Sequence, residues 1–156
     1  MTSLLEALTR LARCSSGNAL VETTIILPIM ISLMAGGVDF GMAFSAHATV
    51  GKSVRDAARY LGSLPPTAAC STWAIANAKN LAVFGKLSPG PDDSALISGW
   101  QTDGGTGNNV SVDCSTPSVV VVSAQAPYRT LMLGAVLPRI GTMTLSAHHE
   151  EQSIGG

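Results

Sequence analysis

Between Cys14 and Gly51 the chain runs for 38 residues with only two full charges, Glu22 and Asp39. Thr23 to Val38 reads TTIILPIMISLMAGGV, 16 residues without a charge, and with Asp39 set at an interface the apolar reading extends to Phe44. At about 1.5 Å of rise per residue, about 22 helical residues span about 33 Å, enough for the hydrocarbon core of a bilayer. Apolar residues surround this helix on every side, whereas a helix on the surface of a globular domain keeps a polar face. A single transmembrane helix is therefore expected, the competing structure being a buried core helix.

The rest of the 156-residue chain is also poor in charge. Charged residues make up 12% of the whole against 46% hydrophobic ones, where soluble domains carry about 25% charge. That composition excludes intrinsic disorder. A net charge of -1 with no cation cluster gives no basis for nucleic-acid binding. The low charge outside the apolar run suits a domain that lies against other subunits.

Cation counting does not orient the helix, because Arg10 and Arg13 precede it while Lys52, Arg55 and Arg59 follow closely. The cysteines are more informative. Cys70 and Cys114 lie downstream of the apolar run, and an even pair in an exported segment points to a disulfide. Two separate buried thiols are the alternative. Cys14 lies on the other side of the run and has no partner there.

A short polar leader ends at Gly17, Glu22 follows five residues later, and the apolar run begins directly after it. This arrangement resembles the processing site of type IV pilin-like precursors. The resemblance implies cleavage by a prepilin peptidase between Gly17 and Asn18, leaving the helix on the mature protein. Glycine suits the extended backbone a protease needs. A lone Glu at the head of an apolar helix is costly unless paired, and in pilin-like assemblies its partner is taken to be a neighbouring subunit's new N-terminal amine. The plain alternative makes Gly17 a loop residue and Glu22 a helix-start residue favoured by the dipole.

Further along, Val38-Asp39-Phe40-Gly41 and then Val54-Arg55-Asp56-Ala57-Ala58-Arg59-Tyr60 resemble the TadE-like minor pseudopilins of the tight-adherence (Flp pilus) system, with Pro28 in the matching place. Pro127-Tyr128, Leu137-Pro138 and Thr144-Leu145-Ser146-Ala147 are similar to the closing strand region of those proteins. Many pilins of the system have an aromatic after the Glu, and here Thr23 stands there. With the greater length, this departs from the major-pilin pattern.

Val50, Val54, Ala57, Ala58 and Leu61 recur at helical spacing, so one helix is expected from about Ala19 to Leu61. Its first half would lie in lipid and its second half against a head domain, with Gly62 and Pro65-Pro66 ending it. Gly36, Gly37 and Gly41, with Ala35, read either as a helix-packing patch or as ordinary transmembrane glycines. A second helix is predicted over Thr67 to Phe84, with Trp73, Ala76, Val83 and Phe84 near one face. Strands are expected at Ala95–Trp100, up to Asp113-Cys114, at Ser118–Ala126 and at Thr142–His148. Residues 88–109 are dominated by turn chemistry. Tyr128 to Leu137 is apolar enough for a short helix or a partner-contacting segment, but too short to span a membrane.

The predicted architecture is α+β: a leader over 1–17, a transmembrane and stalk helix over 18–62, and a small pilin-like head over 63–156 carrying a second helix and a short antiparallel sheet. Catalytic, metal and cofactor residues are not expected. Asp92, Asp93, Asp103, Asn108, Asn109 and Asp113 match no calcium-loop spacing and read as solvated turns. His148-His149-Glu150-Glu151 reads as a tail too contiguous to converge on a metal. Asp39 reads as marking the membrane interface or as a partner for a cation on another protein. The expected role is that of a minor pseudopilin, single-pass in the bacterial inner membrane with a periplasmic C-terminal domain. Its expected partners are the prepilin peptidase, the major pilin, other minor pseudopilins, the inner-membrane assembly platform and membrane lipid. The alternatives are a secreted binding domain with a signal peptide cleaved near Ala48 and an unprocessed single-pass subunit of another envelope complex.

Overall fold

The computed structural model describes residues 15–116, 118–132, 134 and 141–152. The elements are helices α1 (Ser15–Gly62), α2 (Pro66–Ala69) and α3 (Thr72–Phe84), and strands β1 (Asn109–Asp113), β2 (Val119–Arg129) and β3 (Thr142–Gln152). The fold is α+β. The chain divides into two compact units, Met1–Val38 and Asp39–Gly156.

In the first unit, the helix from Ala19 onward exposes Leu20, Ile25, Ile29, Leu33 and Met34. Its most apolar 18-residue window is 0% buried, and by length and composition the helix is able to cross a membrane. Its few hydroxyls are satisfied locally. Thr23, Thr24 and Ser32 donate to the carbonyls of Ala19, Leu20 and Pro28, at 2.7–2.8 Å, so these side chains bring no unpaired donor into an apolar setting.

In the second unit, the predicted face of α1 is the core face. Val50, Val54, Ala57, Ala58 and Leu61 are fully buried, and they join α3 and the sheet in one apolar cluster. The single helix expected over Thr67 to Phe84 is instead two. Ser71 breaks it by capping α3, its Oγ accepting from the Ala74 N–H at 3.4 Å while donating to the Ala68 carbonyl at 2.6 Å. The expected α3 face holds at its C-terminal end, where Val83 is buried and Phe84 packs against the core, and fails at its start: Ala74, Ala78 and Ala82 are buried, while Trp73 is 53% exposed and Ala76 is exposed. Small side chains on this buried line let α3 sit close to the core, and a Trp there would hold it away. Gly85, at φ +70°, closes α3 in the left-handed conformation that a side chain disfavours.

The sheet is antiparallel in the order β1-β2-β3. Val120, Val122, Ala124 and Ala126 of β2 point into the core, as the alternation predicts. Two boundaries move. β2 runs to Arg129 and β3 to Gln152, because each residue of one finds a partner on the other from Val119↔Gln152 to Arg129↔Thr142. His148 to Glu151 therefore form part of a strand, not a tail. The strand expected at Ala95–Trp100 is absent. That segment turns instead, with Leu96 N–H donating to the Val83 carbonyl and Trp100 N–H to that of Ile97, and it buries Trp100.

Candidate functional site

The least expected arrangement lies where the apolar run ends. Asp39 is the first residue of the second unit and is 1% exposed. β2 carries the chain out to Arg129, and Thr130 N–H donates to the Gly141 carbonyl at 3.1 Å, closing the base of the β2–β3 connection. That closure sets the next two residues over α1. The Leu131 N–H donates to Asp39 Oδ1 at 3.0 Å, and the Met132 N–H reaches Oδ1 at 3.1 Å and Oδ2 at 3.0 Å. One carboxylate thus binds two backbone donors 92 and 93 residues away along the chain. Hydrogen bonds to a charged acceptor contribute about 1.5–3 kcal/mol each. Burial, and secondarily the Asp39 charge, push the Tyr128 hydroxyl above its ordinary pKa.

This geometry gives Asp39 a role that neither sequence reading contained, since it binds backbone amides of its own unit. A buried acid in an apolar run signals that some partner exists. Amides carry no side-chain signature, so spacing could not identify which.

The other residues singled out from sequence are spread along the chain. Gly17 and Asn18 lie in the first turns of α1. Glu22 is exposed on the same helix. A Cβ at Gly36, Gly37 or Gly41 would meet nothing within 4 Å, so this stretch of backbone is open to an approaching helix. Cys70, just ahead of the α3 cap, and Cys114, just past β1, stand at disulfide distance with Cα atoms 6.1 Å apart. Cys14 lies outside the described residues.

The acidic loop residues are engaged in turns and pairs. Lys86 and the Gly90 N–H hold Asp93, Lys79 holds Asp103, and the Ser115 N–H holds Asp113; each carboxyl is kept below its ordinary pKa by those bonds. His149 faces Glu151 at 3.3 Å on β3. Among the described residues no group of three His, Cys, Asp or Glu converges on a metal position. The grooves of the head are open ones, such as that of about 330 Å³ between Thr49, Lys52, Asp56 and Leu96.

The buried Asp39 and the Val54–Arg59 part of α1 lie in the stretch that carries a family signature. Residues 17–59 match the TadE-like protein family. The TadE-like segment begins at Gly17, takes in Glu22, Pro28 and Asp39, and ends within the α1 face that builds the head's core. The match covers 43 of the chain's 156 residues. The C-terminal stretches that resembled the same proteins lie outside the match. No curated protein and no solved structure matches the chain.

Proposed function

We propose that the chain is a minor pseudopilin of a tight-adherence (Flp-type) pilus system, cut by a prepilin peptidase between Gly17 and Asn18 and acting through subunit contacts. The TadE-like match over 17–59, starting at Gly17, is the observation that carries this reading. The helix anchors the mature protein in the inner membrane, the head faces the periplasm, and Glu22 pairs with the N-terminal amine of a neighbouring subunit. The open backbone at Gly36, Gly37 and Gly41 supports close approach of the major pilin, another minor pseudopilin or the assembly platform. In that oxidising compartment Cys70 and Cys114 close as a disulfide, which stabilises a small domain by about 2–4 kcal/mol. A signal-peptide cut near Ala48 would instead remove Asp39, which the head buries and bonds.

The decisive measurement is the N-terminal sequence and intact mass of the protein from a membrane fraction. A start at Asn18 is expected, with Gly17→Ala left unprocessed and Glu22→Ala processed but defective in piliation. A start at Thr49, or normal piliation by both variants, would sink the reading. Thiol alkylation without reductant is expected to leave Cys70 and Cys114 unlabelled in exported protein.

A further inference from the structure

The bonds to Asp39 leave an exposed apolar feature on the head. Leu131 and Met132, whose N–H groups Asp39 accepts, are themselves exposed, Leu131 at 69%. Phe40 and Phe44, one helical turn apart on α1 and within the same unit, are exposed at 74% and 70%. Two loop residues with large apolar side chains in water and their backbone donors tied off internally are a poor design for a solvated loop. They suit a segment that enters a low-dielectric layer, where an unpaired N–H costs several kcal/mol.

The lengths agree with this. From Asn18 to Val38 a helix rises about 31 Å, close to the thickness of the hydrocarbon core, so Asp39 falls where that layer ends. Arg129, exposed at the end of β2, and Tyr128 stand one residue ahead of the apolar pair, across Thr130, and are residue types that favour the headgroup level.

We propose that the residues following β2 make a second membrane contact: Leu131 and Met132, bonded to Asp39, dip into the bilayer interface together with the exposed Phe40 and Phe44 of the same unit and seat the head on the lipid surface. The occupant is phospholipid, and the contact rests on the reading of α1 as a membrane anchor.

The test uses the full chain with Cys14→Ser, the Cys70–Cys114 pair kept, reconstituted in phosphatidylethanolamine/phosphatidylglycerol vesicles. Nitroxide labels are placed singly at Ile29→Cys, Leu131→Cys and Ser88→Cys, and accessibility to oxygen and to a water-soluble nickel chelate is compared. The label at 131 is expected to be several-fold less accessible to the chelate than that at 88 and to collide readily with oxygen, while that at 29 is deep in lipid. A label at 131 as wet as that at 88, with 29 in lipid, overturns the contact and leaves the anchor standing. A wet label at 29 removes the anchor, and the proposal with it. A label at 131 shielded from both reagents also overturns it, because protein then covers the loop.

Discussion

Asp39 does two things at the residue scale. Its carboxylate satisfies the Leu131 and Met132 amides, and its charge acts on Tyr128. Asp39→Asn removes the charge and one strong acceptor while keeping the volume. It is expected to lower the stability of the head by about 1–3 kcal/mol, the cost of weakening charged hydrogen bonds to buried groups, read from denaturant unfolding in detergent. In a Tyr60→Phe background the same variant is expected to bring the Tyr128 absorbance titration part of the way down toward about 10. The shift is partial because burial is the larger cause of the rise. An unmoved titration would mean that the Asp39 charge does not reach the phenol.

Among the elements, α1 and α3 share a core built from small residues: Ala57 and Ala58 on one, Ala74, Ala78 and Ala82 on the other. Such a core tolerates little added volume. Ala78→Leu is expected to cost about 1–3 kcal/mol through overpacking. Trp73→Ala, on the exposed side of α3, should stay within about 0.5 kcal/mol. Comparing the two unfolding midpoints checks the helix phase, and equal losses would contradict it. Periodicity alone misjudged this face because α3 is mostly alanine, apolar on several sides, and the large Trp73 dominates any reading by hydrophobicity. The α1 and β2 faces were legible because Val, Ala and Leu recur there at a regular helical or strand spacing, with charged or polar residues such as Lys52, Arg55, Ser123 and Gln125 off the buried face.

For the molecule as a whole, acid is the condition that loosens the loops. Asp93, Asp103 and Asp113 titrate below their ordinary value when folded, so the unfolded chain takes up protons first as pH falls. Their contribution is present above about pH 4, the unfolded value, and is lost as pH drops through the folded values. Asp103 and Asp113 are exposed and Asp93 is half-buried, so the effect is small, and the loss of denaturation midpoint below pH 4 should flatten in the triple Asp→Asn variant. A slope unchanged in that variant would assign the acid sensitivity to other groups.

The sequence by itself determined the apolar helix, the α1 core face, the alternation of β2, the cysteine pair worth testing and the stretch that matches the TadE-like family. These are local or periodic signals, written in the residues that carry them. Tertiary structure alone decided the partner of Asp39, the break at Ser71, the lengths of β2 and β3 and the turn at Ala95–Trp100. Each of these depends on which backbone groups meet across long separations, and backbone amides and carbonyls look alike at every position in a sequence.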